Sequence, residues 1–272
     1  MFLSRRATQE EYFDSERPTA EVAEFFHSLG RVNQFFDFAE AFRRLTPKLV
    51  SQEGGAVSLL DVGAGDGSLG RTLQRWGSEH GWECQVVNLD TSQQALSLNP
   101  RGLNVAGSAL RLPFQNGSFD VVIASQMAHH LSEDQVTLLL REAWRVARQA
   151  IIICDLHRNP GLYLVLWLLL SVQRHPASFK ADALLSVKRA WRVGELARMA
   201  KAAGIETVNV SLYFGARIIL HARKGGGGAV HCEKMAASPA SQFDGGPHAD
   251  PTSPKRAAGT PNTGRYSKSS SL

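Results

Sequence analysis

The apolar positions of this chain fall into two regimes. Over residues 19–49 they recur at helical spacing: Val22, Phe25, Phe26, Leu29, Val32, Phe35, Phe36, Ala39, Phe42 and Leu45. That pattern predicts two helices, with Pro18 near the start of the first, Gly30 at the break between them and Pro47 at the end of the second. From residue 57 the regime changes. Short apolar runs at 57–62, 85–89, 119–124 and 151–154 read as strands, and the stretches 69–80, 92–97, 134–147 and 191–203 read as helices. Two closing strands, 207–213 and 216–222, are separated only by Phe214-Gly215 and predict a hairpin. Alternating helices and near-continuously apolar strands predict an α/β fold. It would be a doubly wound, mostly parallel sheet with an antiparallel edge strand and an N-terminal helical cap.

The end of the sequence fits neither regime. Residues 225–272 hold 8 Gly, 7 Ser and 5 Pro and almost no periodic apolar positions. Such a segment buries too little surface to offset its ordering entropy, so a disordered tail is expected. The domain reading is therefore a helical cap over 1–50, one α/β domain over 51–224 and a tail over 225–272. The chain as a whole, 43% hydrophobic and 20% charged, has the composition of a soluble globular protein. Its formal charge of +5 includes five basic and three acidic residues in the tail, a net +2 there. The remaining excess is too small to argue for a nucleic-acid partner. Cys84, Cys154 and Cys232 form no CxxC pair, so neither a structural zinc site nor a disulfide framework is expected, and a reducing, cytoplasmic compartment is. Met1-Phe2-Leu3 runs straight into Ser4-Arg5-Arg6 without an apolar core, so no signal peptide is expected. The most apolar run, LYLVLWLLL at 162–170, is far shorter than the roughly 20 residues of a membrane-spanning helix. It reads as a buried helix, a wall of a substrate pocket or a membrane-interface segment.

The strongest chemical signal is Asp61-Val62-Gly63-Ala64-Gly65-Asp66-Gly67, where an apolar strand ends and a helix begins. Glycines at alternating positions permit a sharp turn and let a ligand approach the backbone, while the free N–H groups of the helix start face it. Asp90 ends the next strand, at the distance expected of a carboxylate that accepts hydrogen bonds from ribose hydroxyls. Together these imply a nucleoside ligand. Gly65 to Gly70 also matches the dinucleotide string GxGxxG, which keeps a nicotinamide-dependent oxidoreductase as an alternative. Asp61 and Asp66 argue against it, because carboxylates beside a pyrophosphate are unfavourable. S-adenosylmethionine, with a sulfonium, an ammonium and no phosphate, suits those acids better.

These residues resemble the class I SAM-dependent methyltransferases, and in particular the branch of ubiquinone/menaquinone-type and related small-molecule methyltransferases. Asp61 to Gly67 is similar to their first motif, and Asp90 to their second-strand ribose ligand. Gly107-Ser108-Ala109-Leu110-Arg111-Leu112-Pro113-Phe114 resembles the stretch lying against adenine. Ser125-Gln126-Met127-Ala128-His129-His130-Leu131 resembles the segment bordering the methionine part and the acceptor. The resemblance covers about 57–224. It implies a Rossmann-like fold, S-adenosylmethionine as cofactor and Asp61, Gly63, Ala64, Gly65, Gly67, Asp90, Ser108, Ala109, Leu110 and Ser125 as cofactor-binding residues. Two departures stand out. Ser108 replaces an aspartate found in many relatives, and Arg145-Val146-Ala147-Arg148-Gln149-Ala150 lacks the usual Gly-Gly turn before the fifth strand. They leave room for a non-catalytic SAM-binding protein as a second alternative.

The acceptor side is less explicit. Methyl transfer is an in-line displacement, for which holding the two partners close and aligned does most of the work. A base helps only where a hydroxyl or amine must lose its proton. His129 and His130, after the fourth strand, and His157, after the fifth, are candidate bases at the carboxyl edge of the sheet, with His130 and His157 taken as the catalytic ones. No metal ligands are expected. An apolar run at 162–170 and the aromatic-rich N-terminal helices predict a small, fairly apolar acceptor such as a phenol, quinol or polyketide-like molecule, methylated at oxygen. The absence of an Asn-Pro-Pro-Tyr-type motif after the fourth strand points away from nucleic acid. The sequence allows peripheral membrane contact and leaves the oligomeric state open.

Overall fold

The computed structural model describes residues 3–50, 56–213 and 215–225. The tail expected over 225–272 lies outside them, apart from Gly225. Two helices open the fold, α1 (Thr19–Phe36) and α2 (Glu40–Leu49), followed by β1 (Ala56–Val62), α3 (Ser68–Glu79), β2 (Glu83–Asp90), α4 (Gln93–Ser97) and β3 (Leu103–Ala106). Then come β4 (Phe119–Ser125), α5 (Glu133–Val146), β5 (Ala147–Leu156), α6 (Pro160–Val172), α7 (Ala177–Arg189), α8 (Val193–Ala202), β6 (Asn209–Tyr213) and β7 (Arg217–Arg223). The strands form one sheet in the order β3-β2-β1-β4-β5-β7-β6. β7 runs antiparallel to both neighbours, so the predicted hairpin forms the antiparallel edge region, and the other pairings are parallel. The α/β, doubly wound expectation matches this architecture.

Successive strand residues feed opposite faces, as the pleat requires. Leu60, Val122, Ile151 and Ile153 pack under α5 and α8 with Leu139, Ala143, Leu196 and Met199. Leu59, Val121, Ile123 and Ile152 pack against α2, α3, α6 and α7 with Phe42, Leu73, Leu166 and Phe179. Covering on both faces explains why these strands read as unbroken apolar runs.

Several local expectations shift. The first helix runs straight through Gly30, around which nothing lies close. The break falls instead at Asp37, in the left-handed region at φ 45°, whose N–H closes on the Asn33 and Gln34 carbonyls. Pro47 lies inside the last turn of α2 rather than beyond it. β3 has no apolar run to announce it: Leu103, Asn104 and Ala106 are exposed, and it pairs only with β2. The missing Gly-Gly turn is not needed, because Ala147 caps α5 in an extended conformation and starts β5 in the same residue. The stretch after β5 that holds the apolar run at 162–170 folds into two helices, α6 and α7. No helix among the described residues is long and apolar enough to cross a membrane.

Candidate active site

The strand order reverses between β1 and β4, the place where open parallel sheets bind ligands beyond their carboxyl ends. There the chain leaves β1 through the glycine loop. The Gly63 and Ala64 N–H groups donate to the Leu89 carbonyl at 2.8 and 3.1 Å, tying the loop to the end of β2. Gly65, at φ 56°, donates its N–H to Asp90 Oδ2 at 2.8 Å, and Ser92 N–H donates to Asp90 Oδ1 at 2.8 Å. The Asp90 carboxylate is thus fixed in orientation while retaining acceptor capacity. A Cβ on Gly65 would lie 2.4 Å from the Phe26 ring, so α1 covers the loop at this point.

A cavity of about 930 Å³ opens over this loop. It is lined by Asp61, Gly63, Ala64, Gly65, Asp90, Ser108, Ala109, Leu110 and Ser125, nine of the cofactor positions expected from sequence. Gly67 is not among the lining residues. It begins α3 in the left-handed region, where a Cβ would meet Asn99 Nδ2 at 2.4 Å. Asp61 is fully buried, with no hydrogen-bond partner for Oδ2. Burial, reinforced by the neighbouring Asp90 and Asp66, pushes its carboxyl up to about 7.

The cavity's other end is built on the turn after β4. Gln126 adopts φ 53°, an uncommon conformation for its type, and its Nε2 donates to Asn33 Oδ1 of α1 at 2.9 Å. The following residues are held from outside. Arg6 donates to the His129 and Leu131 carbonyls at 2.6 and 2.8 Å and stacks on Trp191, 4.0 Å from the ring centroid. Trp191 Nε1 donates to the Ala128 carbonyl, and Arg189 donates to the His130 carbonyl. The backbone of the turn is therefore tied down at the Ala128, His129, His130 and Leu131 carbonyls.

His129 is buried, with its Nδ1 2.7 Å from Asp155 Oδ1 and its backbone N–H on Asp155 Oδ2 at 2.9 Å. His130 is partly exposed, with its Nδ1 2.5 Å from Asp14 Oδ1. Glu11 completes the group: it is buried, and its Oε1 has no hydrogen-bond partner. Burial pushes its carboxyl up to about 7, against the opposing pull of His130, Ser186 and Arg189. All three residues line the cavity. The predicted base His157 does not. Its Nδ1 faces the Gly215 carbonyl and the Asn159 amide, and burial lowers its pKa. Sequence reading singled out His129 and His130 but missed Asp155, Asp14 and Glu11. Asp155 ends an apolar strand in the same way as Asp61, and that was the one available signal.

The glycine loop, Asp90 and the reversed strand order define a class I methyltransferase fold. Residues 60–153 match the family model described as a methyltransferase domain. Residues 60–153 thus form a methyltransferase domain, for which the cofactor expected from sequence is S-adenosylmethionine. Among solved structures, the chain is similar to a SAM-dependent methyltransferase from Aquifex aeolicus at 16% identity and TM-score 0.52, over 76% of this chain and 99% of that one. It is also similar to a magnesium protoporphyrin IX methyltransferase from Synechocystis PCC 6803 (14% identity, TM-score 0.45, 70% and 82%). A third is a candidate O-methyltransferase from Nostoc punctiforme PCC 73102 (18% identity, TM-score 0.47), matched over 69% of this chain and only 59% of that one. No curated protein matches the chain in sequence. The residues present fit the cofactor: Asp61 offers a buried, unpartnered carboxylate oxygen to a cationic donor, which an ammonium group supplies and a pyrophosphate does not.

Proposed function

We propose that the protein transfers a methyl group to an oxygen of a small, fairly apolar acceptor of the phenol, quinol or polyketide-like class. The observation that carries this reading is the contrast between the walls and the corner of one cavity. Phe25, Leu29, Phe36, Leu162, Leu166 and Phe179 make its sides apolar, while Glu11, His129 and His130 gather at one polar corner. An apolar ring would be desolvated by those walls, and a single hydroxyl would find its polar partners at that corner.

On this reading Asp61 receives the ammonium group, Asp90 the ribose hydroxyls, and Ser108 with Ala109 and Leu110 the adenine. Gly63, Ala64 and Gly65 let the backbone approach closely. When bound, S-adenosylmethionine supplies an electrophilic methyl: the acceptor oxygen's lone pair forms the new C–O bond while the C–S electron pair returns to sulfur as a neutral thioether. His130 takes the acceptor's proton on Nε2, its Nδ1 being held by Asp14. His157, engaged with Gly215 and Asn159, has no part in this reading.

Calorimetry with S-adenosylmethionine and with NADPH tests the cofactor half, binding of the first alone being expected. A radiolabelled methyl-transfer screen over phenols, quinols and fatty acids tests the acceptor half. Transfer to a phenol or quinol hydroxyl is the expected result. Transfer to amines alone, or none despite tight cofactor binding, would overturn it.

A further inference from the structure

We propose that Glu11, His129 and His130 form a binding site for one divalent transition-metal ion of the zinc class at the polar corner of the cavity. Their ligating atoms all lie within 4.8 Å of one another. His129 Nε2 is 3.8 Å from Glu11 Oε1, and His130 Nε2 is 3.9 Å from Glu11 Oε2. These separations are too long for hydrogen bonds between the three groups. They exceed by about half an ångström the ~3.3 Å expected between neighbouring ligands of a tetrahedral ion with bonds near 2.0–2.1 Å.

The surroundings prepare each group as a ligand. Each imidazole has its Nδ1 against a carboxylate, Asp155 for His129 and Asp14 for His130. A neutral ring that donates from Nδ1 carries its lone pair on Nε2, and a carboxylate behind the ring is the usual support of a metal-bound histidine. Both lone pairs therefore face Glu11, whose Oε1 is buried without a partner although such an atom is costly to leave unsatisfied. The nearest cation, Arg189, does not satisfy it: its Nη1 stands 3.7 Å from Glu11 Oε1 and is bonded to Asp14 Oδ2 at 2.5 Å.

Charge points the same way. Glu11, Asp14, Asp155 and Asp182 bring four carboxylates to this corner, against the guanidiniums of Arg6 and Arg189, while Arg158 is paired with Glu195. In their ionised forms the difference is two negative charges, which a divalent cation neutralises. Two imidazoles and one carboxylate suit zinc or ferrous ion, whereas magnesium and calcium favour all-oxygen sets. The inference goes beyond the methyl-transfer reading and does not depend on it. It does constrain that reading, because a metal-bound His130 has no lone pair with which to accept a proton.

The test is titration of the chelator-treated full-length protein with zinc chloride alone, without cofactor, followed by calorimetry. Visible absorption of the cobalt-loaded protein reports on the ligand set. One ion per chain, bound at micromolar affinity or tighter, is expected. Glu11→Gln and His130→Gln should each weaken binding at least tenfold and remove the cobalt bands, and Asp155→Asn should weaken it 10–100-fold through the orientation of His129. His129 is buried, so the near-isosteric Glu11→Gln and the partly exposed His130→Gln carry the test, with melting curves as the check on folding. No binding up to millimolar zinc, or stoichiometric binding that survives both substitutions, would overturn the proposal. Zinc binding by a protein whose metal-free form transfers to no phenol or quinol would sink the acceptor reading and leave this site standing. Transfer by a protein that binds no zinc would do the reverse.

Discussion

At Asp61 a carboxyl is buried with one oxygen unpartnered and its pKa pushed up to about 7. Its unfolded value is near 3.9. The free folded protein therefore binds this proton more tightly than the unfolded chain. The stability contributed by the group is present below about pH 4 and is lost as pH rises through about 7. An ammonium ligand reverses the preference, because it favours the ionised form. On the proposed reading, S-adenosylmethionine affinity should rise with pH to about 7 and then level off, as calorimetry at pH 5.5, 7 and 8.5 would measure. Asp61→Asn should flatten that profile and weaken binding at least tenfold, yet raise the melting temperature of the cofactor-free protein at pH 8. A variant that loses stability at pH 8 would show that Asp61 already has a partner in the free protein. Asp90→Ala removes the acceptor for two backbone N–H groups and, on the proposed reading, for the ribose, and should weaken cofactor binding by roughly 1–3 kcal/mol. Unchanged affinity would show that the ribose lies elsewhere. Asp61 and Asp90 were legible as cavity residues because each stands at the end of an apolar strand beside the glycine loop. Glu11 and Asp14 were not, because only the folded chain brings them to the His129-His130 turn and no spacing rule connects them.

Helix α6 shows what periodicity cannot decide. Its sequence is apolar on every side, so the run could be read as buried, as pocket wall or as interface. The fold resolves it into faces. Leu162, Leu166 and Leu170, four residues apart, are buried against the sheet side, while Leu164, Val165, Trp167 and Leu168 are about half exposed. Leu162 and Leu166 also line the cavity. The stability cost of substitution should follow the faces. Leu166→Ala should destabilise by about 2–5 kcal/mol, as removal of a buried leucine side chain does. Leu168→Gln should change stability by less than about 0.5 kcal/mol and improve solubility by breaking an exposed apolar patch. Chemical denaturation of both variants measures the difference, and equal costs would mean that the outer face is covered in the protein as it exists in solution. The element order was legible in the same way as the loop, since covered strands announce themselves as apolar runs. β3 was missed because an exposed edge strand needs no apolar run, and the break after α1 was misplaced because a left-handed Asp37 can end a helix without glycine.

At the scale of the whole molecule, the segment before α1 stands at the polar corner of the cavity. Residues before α1 supply Arg6, Glu11 and Asp14, which brace or complete a corner otherwise made by the turn after β4, by β5 and by α7. Expected only as a helical cap, this N-terminal part also closes the site with side chains that no motif marks. Its anchor is Asp182 on α7, whose two carboxylate oxygens accept the Tyr12 N–H at 2.8 Å and the Phe13 N–H at 3.2 Å. Both donors belong to the single turn Tyr12–Asp14 that sets the directions of Glu11 and Asp14. Asp182→Ala leaves those N–H groups without their acceptor, a cost of about 1–3 kcal/mol where they are buried. The expected outcome is a lower melting temperature and faster amide hydrogen exchange at Tyr12 and Phe13, with the sheet amides unchanged. S-adenosylmethionine affinity should stay within about threefold, because the glycine loop and Asp90 lie at the other end of the cavity, while zinc affinity should fall with the loss of Glu11's position. Exchange at Tyr12 and Phe13 that does not change would show that Arg6 and the Phe13–Phe25 ring contact, at 4.3 Å between centroids, hold the segment without Asp182.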